Sequence, residues 1–242
     1  MIDLNADLGE GVADDHAMLD IVTSASIACG GHAGDATTMR AAIRAAVARD
    51  VRIGAHPAFV DRENFGRKRL ALPVHAIVSQ VVQQVAALDA MTRDEGGAVA
   101  YLKLHGALAN MAAEDEELAF AIFAATAEHW PHMAIMVLAG SAQERAAEAL
   151  DLSIIPEAYA DRAYTEDGLL AARSLPGSVI DDPEIVVARC LRLAERGEIE
   201  TLDGTVITTS ARSICVHGDT PGVVDLARAI KNALVGAGHM KG

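Results

Sequence analysis

The sequence predicts an α/β protein built around a parallel β-sheet, which is either doubly wound or closed into a barrel. Seven short apolar runs have the length of strands, and segments with helical patterns separate them. The first run alternates polar and apolar residues strictly, so Asp3, Asn5 and Asp7 share one face. In a barrel the other face would meet apolar helices, and these three polar side chains would therefore point inward.

Each strand is predicted where a short apolar run ends at polar or turn-forming residues. The strands are expected at 2–8, 25–29, 51–55, 99–104, 134–138, 152–156 and 212–217. A small added hairpin is expected near 198–209, with its turn at Asp203-Gly204. Since helix-sized segments separate the seven main strands, parallel pairing is expected among them.

The helices are predicted from apolar residues that recur at the i, i+3 and i+4 spacing of an amphipathic helix. One of them begins at Pro183, a favoured first helical position, and ends before Gly197. The helices are expected at 37–49, 74–91, 114–129, 140–149, 183–196 and 221–235. No linker, low-complexity segment or internal repeat divides the sequence, so we expect one domain over residues 1–242.

The composition limits the classes of partner. The chain has 34 acidic and 20 basic residues, a formal charge of −14, which argues against binding nucleic acid or an anionic membrane surface. A local pocket can still bind an anionic small molecule. The three cysteines have no paired spacing, and the acidic N-terminus does not resemble a signal peptide. The most apolar stretch, 118–127, is too short to span a bilayer. We therefore expect a reduced, cytoplasmic protein.

Ionisable residues collect at the predicted carboxyl ends of the strands, where both architectures bind ligands. Four strand ends carry a histidine beside a small residue or proline; these are His32, His56, His105 and His217. The same edge receives Asp7, Asp35, Lys103, Glu157 and Asp219. A single histidine in such a place is usually structural, but four of them with these charged groups favour a functional site.

Two kinds of hydrolysis suit these residues. Histidines with carboxylates fit a metal-dependent hydrolase, for which His32-x-x-Asp35 is a weak ligand pair, and they also fit metal-free acid–base catalysis. The sequence has neither the serine hydrolase motif GxSxG nor the phosphate-binding motifs GxxxxGK[ST] and GxGxxG. Cys29 and Cys215 are expected to be small buried side chains rather than nucleophiles. The basic stretch 66–70 is either a phosphate-binding patch or a solvated loop.

Six ordered blocks of the sequence resemble the LamB/YcsF family. They read DLNADLGEG (3–11), IACGGHAGD (27–35), GAHPAFVDRENFGRKRL (54–70), KLHGALAN (103–110), EAYADRAYTEDGLLAAR (157–173) and CVHGDTPG (215–222). The match runs nearly from end to end. The resemblance implies an irregular seven-stranded β/α barrel of the glycoside hydrolase/deacetylase-like kind.

The resemblance also implies an activity, since the family is described as the A component of the ATP-dependent 5-oxoprolinase. The implied reaction is opening of the 5-oxoproline lactam to L-glutamate, coupled to ATP hydrolysis, in a complex with subunits B and C. Because this chain has no phosphate-binding loop, we expect ATP to be a co-substrate bound by the partner subunits. This chain would then act on a phosphorylated lactam. A homo-oligomer and a bound divalent metal are both left open by the sequence.

Roles follow from combining the resemblance with the chemistry of each residue type. The expected base is His105 or His217, oriented by Asp7 or Asp219. Groups that bind the substrate carboxylate or phosphate are expected to include Lys103 and arginines, whose fork geometry suits anions. The catalytic set is Asp7, His105, His217, Asp219, Lys103 and Asp35; the substrate-binding set is Asn5, His32, His56, Arg67, Glu157, Arg162 and Arg173; the metal-ligand candidates are His32, Asp35, His56 and His105.

The chain departs from the family pattern at a few apolar positions. Gly31 and Ala109 stand where the family usually has phenylalanine and tyrosine, which predicts a larger pocket. Two other functions are open alternatives: a stand-alone metal-dependent deacetylase or amidohydrolase, and a non-catalytic lactam-binding subunit.

Overall fold

The structure, a computed structural model, describes residues 1–12, 14–218 and 222–241. Its strands are β1 (Asp3–Leu8), β2 (Ser24–Ala28), β3 (Arg52–His56), β4 (Val99–Lys103), β5 (Ala134–Leu138), β6 (Ile154–Tyr159), β7 (Glu198–Glu200), β8 (Val206–Thr208) and β9 (Ser213–Val216). Seven of them close into a parallel barrel in the order β1-β2-β3-β4-β5-β6-β9. The seven-stranded β/α barrel is confirmed, and the doubly wound alternative is wrong.

The added hairpin is also confirmed. Strands β7 and β8 pair antiparallel outside the barrel, with Glu198 opposite Thr208. The turn between them contains Gly204, whose φ of +88° lies in the left-handed region that glycine adopts without strain.

The helices lie between the strands, as expected, with two differences. They are α1 (Asp15–Leu19), α2 (Ala36–Val47), α3 (Val74–Asp94), α4 (Gly106–Glu114), α5 (Glu116–His129), α6 (Ala142–Ala149), α7 (Pro183–Arg196) and α8 (Val223–Gly236). The short α1 was not predicted. The predicted helix at 114–129 is preceded by a separate helix, α4, because Asp115 has an extended backbone and caps α5 by accepting a hydrogen bond from the Leu118 amide. None of the described helices is long and apolar enough to cross a membrane.

Strand β1 shows how the barrel separates its two surfaces. Leu4, Ala6 and Leu8 are fully buried in the apolar layer between strands and helices. Asn5 and Asp7 point into the barrel, where their partners include Glu157 of β6 and Lys103 of β4, strands that do not neighbour β1. The polar interior of the barrel is therefore built by the alternation that the sequence shows.

Gly54 of β3 makes room inside the barrel for an aromatic ring. A Cβ atom at this position would lie 2.1 Å from Cε2 of Tyr101. The Tyr101 ring is completely buried, and its hydroxyl lies 3.1 Å from the Ser26 hydroxyl. This pair fills the interior below the polar residues.

Candidate active site

A cavity of about 460 Å³ opens at the carboxyl ends of the barrel strands. Its lining carboxylates, histidines and arginines are Asp7, His56, Arg67, Arg69, His105, Glu114, Arg162, Arg173 and His217. Acid–base groups therefore share one cavity with four arginines, although the chain as a whole carries a charge of −14.

Beside this cavity, inside the barrel, lies a buried charge network centred on Lys103. Its ammonium group lies 2.9 Å from Oδ1 of Asp7 and 2.8 Å from Oε1 of Glu157. It also donates to Oδ1 of Asn5 at 3.1 Å and to Sγ of Cys215 at 3.0 Å. Lys103 is 2% exposed, so these contacts account for its hydrogen-bonding capacity.

This network fixes the charge state of its members. Burial alone would raise the pKa of Asp7, but His56 and Lys103 hold it well below the usual range. Burial alone would lower the pKa of Lys103, but Asp7, Cys215 and Glu157 raise it well above the usual range. Asp7 is therefore an anion, and Lys103 a cation, at neutral pH.

Two histidines at the ends of β3 and β4 are in contact, with ring centroids 4.9 Å apart and planes 83° apart. Nδ1 of His105 lies 3.0 Å from Nε2 of His56. The other ring nitrogens each lie near a carbonyl oxygen, 2.9 Å for His56 Nδ1 and Lys103 O, and 3.0 Å for His105 Nε2 and Phe65 O. Because a carbonyl only accepts, each of these nitrogens carries a hydrogen. The imidazole tautomers follow from this arrangement.

A carboxylate missed in the sequence, Glu10, joins this group. Its Oε1 lies 2.8 Å from Nε2 of His32 and 3.5 Å from Nδ1 of His105. The His32 ring stacks on the His105 ring with centroids 3.7 Å apart. Donor atoms of Glu10, His32, His56 and His105 lie within 4.8 Å of one another, so these residues could hold a metal ion.

Burial opposes the charged form of all three rings, but their pKa values do not all shift in the same direction. Burial lowers the pKa of His32. Burial, together with charge repulsion from His32 and His56, lowers the pKa of His105 well below the usual range. Burial also opposes the charged form of His56, but the Asp7 carboxylate outweighs it and raises the pKa of His56. His105 is therefore neutral at neutral pH.

Glycines bring the loops after β3 and β4 together. Gly66 has φ +64°, and a Cβ there would lie 2.8 Å from Cβ of His32. Gly106 has φ +57°, and a Cβ there would lie 2.7 Å from the carbonyl oxygen of Gly66. Gly66 and Gly106 therefore permit close packing around the His32 and His105 rings.

His217 follows β9 and forms a separate pair with Asp161. Its Nδ1 lies 2.8 Å from Oδ1 of Asp161, which is 1% exposed. Its ring stacks on Tyr159 with centroids 5.0 Å apart and planes 18° apart. A buried carboxylate on one ring nitrogen orients an imidazole for acid–base work at the other nitrogen. Among the described residues the carboxylate that orients His217 is Asp161 rather than Asp7, and the other expected partner, Asp219, lies outside them.

Arginines enter the cavity from two loops. The Arg162 guanidinium donates to the carbonyl oxygens of Ser178 and Ala171 and is 4% exposed. Arg67 lies over the Phe65 ring, with Cζ 5.0 Å from the centroid. Arg162 therefore ties the 161–179 segment together as well as lining the cavity, a role that the sequence did not indicate.

Three further site predictions need correction. Asp35 is wrong as a site residue: it is exposed and caps α2, accepting from the amides of Thr37 and Thr38. Lys103 was expected to hold an anionic substrate, but its ammonium is taken up by the buried network. Gly31 does not enlarge the pocket, because Oε1 of Gln84 lies only 2.3 Å from where its Cβ would be. Asp219 lies outside the described residues.

The remaining predicted residues lie in or beside the cavity. Glu157 lies within β6 rather than after it, because that strand extends to Tyr159. Ala109 does line the cavity. The buried thiols are poor nucleophiles, since burial raises the pKa of Cys29 to about 12 and raises that of Cys215 well above its usual range.

Comparisons with known proteins agree with this fold. A family model described as the LamB/YcsF family matches residues 2–241. The lactam utilization protein from Thermus thermophilus is similar at 39% identity, over 98% of this chain and 97% of that one, with a TM-score of 0.91.

Two more distant structures share the fold alone. The family 4 carbohydrate esterase from Streptomyces lividans is 10% identical over 98% of this chain and 88% of its own, with a TM-score of 0.51. A putative cellobiose-phosphate cleavage protein from Enterococcus faecalis is also 10% identical, over 98% of this chain and 94% of its own, with a TM-score of 0.54. The whole-length family match, together with the Thermus protein, shows that this chain belongs to the LamB/YcsF family.

Proposed function

We propose that this chain is the hydrolytic A component of an ATP-dependent 5-oxoprolinase, which opens the lactam 5-oxoproline to L-glutamate. The observation that carries the proposal is one cavity that combines His217, oriented by Asp161, with four arginines. The similar Thermus protein is described as a lactam utilization protein, which supports a lactam as the substrate class.

The substrate accounts for the arginines in the cavity. 5-Oxoproline carries one carboxylate, and phosphorylation of its lactam oxygen would add a second anionic group. Arg67 and Arg173 line the cavity from segments far apart in the sequence, and guanidinium groups bind carboxylate and phosphate with paired hydrogen bonds. The site is therefore suited to a doubly anionic ligand.

The coupling to ATP has a chemical reason. A five-membered lactam is an unactivated amide, and a phosphoryl group on its oxygen makes the ring carbon a better electrophile. The sequence has no GxxxxGK[ST] loop, so in this proposal subunits B and C bind ATP. They transfer its γ-phosphoryl group to the lactam oxygen and release ADP.

This chain then carries out the hydrolytic steps. Water adds to the ring carbon while His217, held by Asp161, takes the proton that the water loses. The C–N bond breaks with its electron pair on nitrogen, which takes up a proton and becomes the amine of an acyl phosphate. A second water displaces phosphate from the same carbon, and glutamate and inorganic phosphate leave.

The test is reconstitution from purified proteins. Glutamate release from 5-oxoproline is measured with this chain alone and with subunits B and C, each with and without ATP. We expect release only when all three proteins and ATP are present. Release by this chain without ATP would overturn the phosphorylated intermediate.

The convergence of Glu10 with three histidines favours a second candidate function. In this alternative the chain is a stand-alone metal-dependent amidohydrolase or deacetylase that acts on an unactivated amide. It predicts turnover that needs neither ATP nor partners and that a chelator abolishes.

A further inference from the structure

The contact between His56 and His105 places two lone pairs against each other. His56 donates its Nδ1 hydrogen to the Lys103 carbonyl, and His105 donates its Nε2 hydrogen to the Phe65 carbonyl. In the neutral rings, His56 Nε2 and His105 Nδ1 are therefore both acceptors, and they lie 3.0 Å apart. Two facing acceptors at this distance repel unless a proton lies between them or a metal cation lies beside both of them.

Two carboxylates add negative charge beside these two ring nitrogens. Oε1 of Glu10 lies 3.5 Å from Nδ1 of His105, and Oδ2 of Asp7 lies 3.4 Å from Nε2 of His56. The Glu10 side chain is 4% exposed, and its ion-pair contacts within the described part of the chain are to histidines only. A buried carboxylate normally has a cationic partner or binds a metal.

We propose that Glu10, His56 and His105 form a binding site for one divalent transition-metal ion, with zinc as the simplest occupant. Two imidazoles and one carboxylate form a ligand set that zinc uses in catalytic sites, which keep a further position open. His56 and His105 line the cavity, so an open position would face the substrate. A bound cation would supply Lewis-acid polarisation of a carbonyl or phosphoryl oxygen there.

Each proposed ligand already has the outer hydrogen bond that orients metal ligands. The two imidazoles donate their remaining N–H groups to backbone carbonyls, which is the usual arrangement for ligating histidines. Glu10 lies 2.8 Å from Nε2 of His32, which can donate to it. We assign His32 to this supporting role because its ring lies parallel to that of His105, with an interplanar angle of 7°, and the two stacked rings cannot both aim a lone pair at one ion.

The site differs from the sequence prediction in two residues, because Glu10 replaces Asp35 and His32 supports a ligand instead of binding the ion. Asp35, three residues after His32, is exposed at the start of α2, where its side chain caps that helix. Glu10 takes its place from the loop after β1. This proposal concerns which ion the chain binds, and it does not depend on which amide the chain opens.

The experiment measures metal binding directly. The chain is stripped with a chelator, dialysed and titrated with Zn²⁺ by calorimetry, and Co²⁺ is added separately to record the visible absorption of a low-symmetry site. We expect a tight site of one ion per chain and a rise in thermal stability on adding Zn²⁺.

Three variants identify the ligands. Glu10→Gln and His105→Asn should each weaken the tight site at least 100-fold and abolish the Co²⁺ spectrum. His32→Gln, which changes only the supporting contact, should weaken binding by about 10- to 100-fold. His132→Ala, an exposed histidine between α5 and β5, is the matched control and should leave the tight site unchanged.

Two results would overturn the proposal. One is a folded wild-type chain with no tight site, which would mean that a proton occupies the space between His56 and His105. The other is tight binding that persists in folded Glu10→Gln and His105→Asn chains, which would place the ion elsewhere. Either result leaves the ATP-dependent reaction to be judged by glutamate release.

Discussion

At the scale of single residues, the environment of His217 determines what it can do. One ring nitrogen meets the buried Asp161 carboxylate at 2.8 Å, and the ring face lies on Tyr159. These two contacts fix the orientation of the imidazole at the edge of the cavity. In the proposed reaction Asp161 acts through His217, which makes it a positioning residue.

Replacing Asp161 tests this role. In Asp161→Asn the side-chain amide can donate to the imidazole and favour the wrong tautomer. We expect kcat for glutamate release in the complete complex to fall about 100-fold or more, whereas KM changes little. The control is Asp35→Asn, because asparagine caps a helix as well as aspartate does and Asp35 lies outside the site. Equal kcat values for the two variants would contradict the role.

Some residues of the site were predictable from the sequence and others were not. The histidines at strand ends were predictable because glycine and proline mark those ends. Asp35 was misplaced because a carboxylate three residues after a histidine also suits a helix N-cap, and the cap is what forms. Glu10 stood in an equivalent place after β1, between two glycines, and that signal could have identified it.

At the scale of elements, Lys103 joins strands that are distant around the barrel. From β4 it reaches Asp7 on β1, Glu157 on β6 and Cys215 on β9. Four strands therefore share one buried cation. The register that aligns Asn5 with Cys215 brings these partners to one level of the barrel.

Replacing Lys103 with an uncharged side chain tests this linkage. Lys103→Met leaves buried carboxylates without their cation and should lower the free energy of unfolding by about 3–5 kcal/mol. Urea unfolding at neutral pH measures the loss. Lys68→Met, at an exposed lysine, is the control and should change stability by less than about 0.5 kcal/mol.

The pH dependence of this loss has a definite sign. Folding lowers the pKa of Asp7, so the ionised carboxylate stabilises the folded state. This contribution to the free energy of unfolding is fully present above the unfolded-state pKa of about 3.9, and it is lost as the pH falls through the folded-state pKa. The difference in the free energy of unfolding between wild type and Lys103→Met should therefore become smaller in acid. A gap that widens below about pH 4 would contradict the assigned charges.

Element boundaries were predictable where sequence signals were strong. Pro183 and Gly197 bound α7 as expected. The break between α4 and α5 was not predicted, because an alanine-rich run hides it and only the backbone of Asp115 interrupts the helix. Strand β6 was predicted too short, which placed Glu157 after the strand instead of inside it.

At the scale of the whole molecule, alternation of strands and helices predicted a parallel sheet but not its closure. A doubly wound sheet and a closed barrel share the same local pattern of strands and helices. Closure depends on contacts between β1 and β9, which are about 210 residues apart in sequence. The inward polar face of β1 was the residue-level sign of a barrel. The resemblance to the LamB/YcsF family supplied the rest of that prediction.

The most direct measurement is the rate of glutamate release from 5-oxoproline by the complex of this chain with subunits B and C and ATP, using His217→Ala against His132→Ala. We predict a loss of about 100-fold or more for His217→Ala, with partner binding retained, since the substitution removes the proposed general base. His132→Ala, at an exposed position before β5, should match wild type. A His217→Ala complex that releases glutamate at the wild-type rate would contradict this role and favour a non-catalytic lactam-binding subunit.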